Sequence, residues 1–231
     1  MERAEAIVVA GGSGSRFRSA TPKQFQLVLG KPLLVHALER LERSGAIARI
    51  VLVLPREGFE EARSALEPYL RKPFPVELVP GGESRQASMR EGLSRIEPSE
   101  GLVAVHDAAR PAVPPSVVAA VVEAAGVDGG AIAAVPVVET LKETSPERLV
   151  LRTVPRERLY RAQTPQCFRY PLLVRALRKA TEDGFEGTDE ASLVERLGAP
   201  VRIVAGSEQN LKVTALEDLE RVEYYLRREE S

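Results

Sequence analysis

One cysteine, one asparagine and no tryptophan occur among 231 residues. Each scarcity narrows the possibilities. The lone Cys167 leaves no partner for an internal disulfide and suits a reducing cytoplasm; its ordinary role is a small buried hydrophobe, a nucleophile being the alternative. No apolar run approaches the roughly 20 residues of a membrane span, and Ile7–Ala10 is too short for the core of a signal peptide. An excess of one charge is also missing. Lys+Arg number 32 against 33 Asp+Glu, a formal net charge of −1, so nothing attracts nucleic acid or a membrane surface nonspecifically. Arg outnumbers Lys and Asn210 is the only asparagine, as in a hot or GC-rich source, and codon bias explains this equally well. No repeat, low-complexity tract or long linker divides the chain, so a single domain over 1–231 is expected.

Two familiar glycine fingerprints are absent too. The P-loop requires a lysine directly after its last glycine, and the chain has none in that frame. The dinucleotide fingerprint requires a third glycine where Phe17 stands, a position that needs close helix–strand packing. The apolar run Ala6–Val9 leads instead into Ala10-Gly11-Gly12-Ser13-Gly14-Ser15-Arg16, then Pro22-Lys23-Gln24. Glycines at a strand end let the backbone turn and aim several N–H groups at one anion. Arg16 adds a planar fork of donors and Lys23 a compact cation, both suited to phosphate. The set reads as a triphosphate grip, with a structural turn as the plainer alternative. The first helix is expected at Pro32, where proline suits a first turn.

Beyond this loop, strand and helix patterns alternate, which points to an α/β fold with a mostly parallel, Rossmann-like sheet flanked by helices. Strands are expected at Arg49–Leu54, Val76–Val79, Leu102–Val105, Ala131–Val135 and Val201–Ala205. Helices are expected through Phe59–Leu70, Gln86–Ile96, Val113–Ala125 and Leu172–Thr181. Thr188 is the expected N-cap of a further helix, and Thr214 with Glu217 has capping-box spacing for the last. The rhythm breaks at Pro136. Val137–Glu143 and Leu149–Val154 read as a hairpin around Thr144-Ser145-Pro146, without a helix to cover it. This insertion, at about 136–160, is expected to project as an arm whose apolar residues need a cover, either a second subunit or the parent domain.

Three polar turns come after strand patterns: the glycine loop, Pro80-Gly81-Gly82-Glu83-Ser84-Arg85, and His106-Asp107-Ala108-Ala109-Arg110-Pro111. Ligands of open α/β sheets bind outside the carboxyl ends of strands, so these turns can converge on one pocket. Asp107 can hold Mg²⁺ or a ribose hydroxyl, or merely cap its turn. His106 reads as structural. Arg110 is available for a second anion, or for a surface ion pair of little worth. Thr188-Asp189-Glu190 suits either a site or simple capping, and Lys212 suits a phosphate. Arg156 and Arg158 are equally at home as solvated charges.

Together these segments carry a resemblance. The glycine loop with Pro22-Lys23-Gln24 resembles the nucleotidyltransferase signature of the sugar-nucleotide pyrophosphorylase superfamily. Gly81-Gly82 with Arg85 and Ser88, Val105–Pro111, Thr164-Pro165-Gln166, Thr188–Ser192 and Asn210–Thr214 narrow it. In order, from about Ile7 to Leu226, they resemble the family of 2-C-methyl-D-erythritol 4-phosphate cytidylyltransferases of the non-mevalonate isoprenoid pathway. The resemblance implies transfer of CMP from CTP to 2-C-methyl-D-erythritol 4-phosphate with Mg²⁺ and release of pyrophosphate, in a homodimer paired through the arm. By position it implies that Arg16 and Lys23 stabilise charge at the α-phosphate. Ala10, Gly11, Gly12 and Gly14 hold the nucleotide, Gly82 and Ser88 read cytosine, and Asp107 lies near ribose and metal. Arg110, Thr164, Thr188 and Lys212 fall on the acceptor side, and Thr140 and Arg156 reach a partner's site. Gln209 stands where some relatives carry an acid, so no second metal ligand is assigned.

Such chemistry needs no Ser/His/Asp arrangement, because a phosphate oxygen is already a competent nucleophile and the obstacle is repulsion between anions. A cytidylyltransferase for ribitol or glycerol phosphate is the nearest rival. An NAD-dependent oxidoreductase and a non-catalytic nucleotide-binding module are the rivals from other classes.

Overall fold

The computed structural model describes residues 2–11, 22–70, 74–97 and 99–230. Gly12, Gly14 and Arg16 of the glycine loop lie outside the described residues.

The chain opens with β1 (Ala4–Val9), a short 3₁₀ turn at Lys23–Phe25, and the two-residue strands β2 (Leu27–Val28) and β3 (Lys31–Pro32). Helix α1 (Leu33–Arg43) starts one residue after Pro32. Then come β4 (Ile47–Leu54), α2 (Phe59–Leu66), β5 (Val76–Pro80), α3 (Arg85–Leu93), β6 (Leu102–Asp107), α4 (Pro115–Asp128) and β7 (Gly130–Pro136). The pair β8 (Leu141–Thr144) and β9 (Val150–Val154) is next, then β10 (Tyr160–Arg169), α5 (Tyr170–Glu182), α6 (Glu190–Glu195), β11 (Arg202–Ala205) and α7 (Asp218–Glu230).

Seven strands form one sheet in the order β11-β7-β10-β6-β1-β4-β5. Every neighbouring pair is parallel except those made by β10, which runs antiparallel to both β6 and β7. The pleat sends alternate residues to opposite faces. Ala6, Val8, Ile50, Leu52, Leu54 and Ala104 pack in a core with α1 and α4. Ile7, Val9, Val51, Val53, Val103 and Val105 pack in a second core with α3, α5 and α6. A third cluster joins Val28 and Leu33 to Val213, Val222 and Leu226, so α7 covers the segment just after the glycine loop.

Strand β10 is the main departure from the sequence expectation, which had no strand between the arm and the helix at Leu172–Thr181, itself present as α5. Polar Gln163 and Gln166 obscured a strand that is nonetheless buried from Gln163 to Phe168. Its reversed direction has a simple origin. Tyr160 pairs with Pro136, and Val137 N donates to Leu159 O, so β7 and β10 form one long hairpin. The arm, β8 paired antiparallel with β9, is the tip of that hairpin. It therefore leaves the sheet at the carboxyl end of β7, the edge to which β1 and β6 also point.

Smaller corrections concern caps. Asp189, not Thr188, caps α6, its carboxylate accepting from Ser192 N at 2.9 Å. The box expected of Thr214 and Glu217 is absent: α7 begins at Asp218, whose carboxylate accepts from Thr214 N and Ala215 N. Asp107 is the last residue of β6 rather than part of the following turn. That difference matters, because its place in the pleat turns its side chain toward α3.

Candidate active site

Asp107 is the focus of charge at the carboxyl edge. Arg85, the first residue of α3, donates Nε to Asp107 Oδ1 at 3.1 Å. Lys212 Nζ lies 2.8 Å from Oδ2, and Arg110 Nε lies 3.8 Å from the same oxygen. Burial alone would raise the Asp107 carboxyl; Arg85, then Lys212 and Arg110, outweigh it and hold it well below the usual carboxylate range. It is therefore an anion at any physiological pH. Arg85 is itself forked: Nη1 and Nη2 donate to Glu190 Oε1 and Oε2 at 2.7 and 3.0 Å. Burial opposes the Arg85 charge, but Glu190 and Asp107 more than offset that and hold the guanidinium protonated.

Behind this cluster lies a chain of hydrogen-bonded polar groups. Asp107 N–H donates to Thr164 Oγ1 at 3.0 Å, Thr164 Oγ1 is 3.0 Å from His106 Nδ1, and His106 Nε2 is 3.1 Å from Arg110 O. A carbonyl only accepts, so Nε2 carries the proton and Nδ1 accepts from the threonine hydroxyl. Burial first of all lowers the His106 pKa to about 4. The ring is thus neutral and fully engaged, a structural role as the sequence suggested. Thr164 is buried with its hydroxyl committed on both sides, so it holds the base of the site in place. Asn210 is wholly buried, donating Nδ2 to Thr164 O and to Gln163 Oε1, while its backbone carbonyl accepts from Arg110 Nη1 at 2.7 Å. Two residues on, Lys212 reaches Asp107. A cavity of about 280 Å³ opens beside Arg110 and Lys212, with Gln163, Leu211 and Arg161 in its wall.

Lys23 is drawn to the same segment from the other end of the chain: Nζ donates to Val213 O at 3.2 Å, and Val213 N donates to Ala109 O. On the nucleotide side, the turns after β1 and β5 both come up against α3. A Cβ on Gly11 would meet Ser88 Oγ at 3.2 Å, and one on Gly82 would meet Ala87 Cβ at 2.5 Å. These glycines serve close approach to α3. Ser88 Oγ accepts from Gly82 N at 3.2 Å, pinning the turn, and Ser84 caps α3. Ala10 is buried at the end of β1, its N–H held by Val53 O.

Among the described residues no group of three or more His, Cys, Asp or Glu is arranged to hold a metal. No helix there is long and apolar enough to cross a membrane. Burial pushes the Cys167 thiol far up, which disqualifies it as a nucleophile.

Residues 4–228 match the family described as 2-C-methyl-D-erythritol 4-phosphate cytidylyltransferase. A protein of that name from Syntrophus aciditrophicus is 42% identical, over 97% of this chain and 96% of its own. One from Pelotomaculum thermopropionicum is also 42% identical, over 95% and 92%. The solved structure of the protein of that name from Thermus thermophilus has a TM-score of 0.80 at 34% identity, covering 98% of this chain and 100% of its own. The chain belongs to this family. It is an enzyme, a CTP-dependent cytidylyltransferase of isoprenoid biosynthesis whose acceptor is 2-C-methyl-D-erythritol 4-phosphate.

In this cytidylyltransferase, Lys23, Asp107, Arg110, Thr164 and Lys212 meet at one edge, with Gly11, Gly82 and Ser88 adjoining. Thr140 and Arg156 do not join them within the chain. They lie on or beside the arm, where Arg156 donates to Val138 O. Thr188 lies just ahead of α6, exposed. Sequence reasoning passed over Arg85 and Glu190 as site members. The available signal was an arginine at the first turn of the helix after a glycine turn, with an acid beside Asp189. Asn210 was visible as the one asparagine and as the first residue of the Asn210–Thr214 segment that carries the resemblance, but it was given no role.

Proposed function

We propose that this edge is the active site, and that the arm of a second subunit completes it. The observation that carries the reading is the meeting of Lys23, Asp107, Arg110 and Lys212, drawn from distant parts of the chain, beside an open cavity at the strand ends. Three cations around one carboxylate leave the edge positive, as two anionic substrates require. An oxygen of the acceptor's 4-phosphate attacks the α-phosphorus of CTP. The bond from α-phosphorus to its bridging oxygen breaks, and pyrophosphate leaves as 4-(cytidine 5'-diphospho)-2-C-methyl-D-erythritol forms. The nucleophile is already an anion, so no general base is needed. Arg16 and Lys23 stabilise the charge gathering at the α-phosphate, while Gly11, Gly12 and Gly14, following Ala10, offer backbone N–H groups to the triphosphate. Gly82 and Ser88 read the cytosine. Arg110, Thr188 and Lys212 orient the acceptor on a base that Thr164 holds in place, joined by Thr140 and Arg156 of a partner arm.

The residues present fit a Mg²⁺ shared with the nucleotide, since Mg²⁺ takes one or two carboxylates and completes its shell with phosphate and water. Asp107 is the carboxylate for it, with half-exposed Lys212 releasing Oδ2 to pair with phosphate. When bound, the ion neutralises phosphate charge. The whole of 1–231 then acts as one nucleotidyltransferase domain with its arm at about 136–160. A reducing cytoplasm suits the single thiol, and neither nucleic acid nor membrane is a partner.

Pyrophosphate release, measured with CTP and with UTP across methylerythritol, ribitol and glycerol phosphates, tests this reading. A site built to accept from the cytosine amino group should reject uracil strongly. Equal kcat/KM for CTP and UTP overturns the base-reading role, and equal turnover of all three acceptors overturns the acceptor pocket.

A further inference from the structure

Glu190 is a wholly buried carboxylate, about 1% exposed, that the reaction described above leaves unused. It sits in the first turn of α6, a helix bolted to the rest of the molecule on two sides. Gln166 of β10 donates Nε2 to Asp189 Oδ2 at 2.8 Å and accepts from Ala191 N at 2.9 Å. Gln86 of α3 accepts from Gly187 N at 2.8 Å and donates to Phe185 O. The carboxylate is therefore presented to Arg85 from a fixed platform. Both oxygens take the two terminal nitrogens of the guanidinium, which leaves Nε as the donor for Asp107. A planar fork held at two points has no rotational freedom left, so the direction of Nε–H is set by Glu190.

We infer that Glu190 is a positioning residue of the transfer reaction, acting through Arg85 to lock Asp107 Oδ1 and leave Oδ2 facing Lys212, Arg110 and the substrates. It also balances charge. Without it, Arg85 is a half-buried cation left, among the described residues, with Asp107 as its partner. Such a cation draws Asp107 inward and competes with the ligands meant for it. The inference rests on the reading of Asp107 as a site residue.

A double-substitution cycle on the full chain separates the two ideas. The variants are Glu190→Gln, Asp107→Asn and both together, with kcat, the two KM values and the melting temperature measured for each. Glu190→Gln keeps the shape but faces two donors with one acceptor. The expected result is a tenfold or greater fall in kcat. The same change made in the Asp107→Asn protein costs less than twofold, because its route to the reaction is already cut. Loss of near-wild-type size in both backgrounds, so that the effects multiply, shows that Glu190 only supports the fold and overturns the inference. Full activity in Asp107→Asn alone overturns the site reading instead. If Glu190→Gln does not fold, Arg85→Lys takes its place in the cycle, keeping the charge and removing the fork. The same non-additivity is expected, and multiplying effects are again decisive against the proposal.

Discussion

The Asp107 cluster and the arm stand at the same edge of the sheet, yet they are built in opposite ways. Asp107, Glu190, Asn210 and Thr164 are buried, and the charged members find their partners inside one chain. In the arm the charges are exposed, as in the Arg152–Glu143 pair, and so are the apolar residues. Val138, Leu149, Val150 and Leu151 are each 60–68% exposed. A buried ion network is costly to assemble and specific once assembled; an exposed apolar ribbon remains incomplete until something covers it. The cluster carries its own reason to be where it is. Among the described residues, the arm's apolar side chains find no such cover.

The sharpest way to probe the first half of that contrast is Lys23→Ala. Removing one preorganised donor from a charged transition state costs ~3 kcal/mol, a loss of kcat of about 10²- to 10³-fold. Steady-state turnover checks it against the circular dichroism spectrum, which should not change. Near-normal turnover in a folded variant contradicts the electrostatic role, and Arg16→Ala is expected to behave alike.

The arm is probed by subunit mixing. Arg156→Ala and Lys212→Ala, each expected to lose activity about 100-fold through a lost charge-assisted contact to phosphate, are exchanged into heterodimers. A two-fold assembly gives each heterodimer one site with both lesions and one with neither. Recovered activity is expected. Verified exchange without recovery places Arg156 in its own chain's site. Leu149→Ser with Leu151→Ser should shift the protein to a monomer by size-exclusion chromatography, and a wild-type monomer removes the arm's role.

Protonation of His106 tests the buried base of the cluster. Its folded pKa of about 4 lies below the 6.5 of the free side chain, so the unfolded chain binds more protons between those values. The stability it contributes is complete above pH 6.5 and is lost as pH falls toward 4. Chemical denaturation should show about 2 kcal/mol lost between about pH 7 and pH 5. His106→Gln should remove most of that slope. An unchanged slope assigns it to other groups.

The smallest effect belongs to the arm's charges. Arg152→Ala breaks a solvated pair and should move the melting temperature by about 1 °C or less. A larger shift means that the pair is buried in the assembled enzyme.

Much of the architecture was legible because apolar periodicity and glycine punctuation are local. The parallel strands, most of the helices and the hairpin at Ser145-Pro146 arise from residues close together in sequence. Strand β10 was illegible for a physical reason: Gln163 and Gln166 are polar, and their burial depends on Asn210, Asp189 and Ala191 arriving from afar to satisfy them. Thr188 looked like a cap because threonine caps helices well; Asp189, one residue on, accepts from Ser192 N and does it instead.

By itself the sequence determined which chemistry is available: a phosphate grip of glycines, Arg16 and Lys23, an acid at Asp107, cations at Arg110 and Lys212, and an arm with nothing to cover it. Tertiary structure alone decided how those groups are used. The pleat of β6 turns Asp107 toward α3, where Arg85 meets it, and the platform of α6 brings Glu190 to hold that arginine in place. Such pairings join residues far apart in the chain, and their strength depends on burial that no local pattern records.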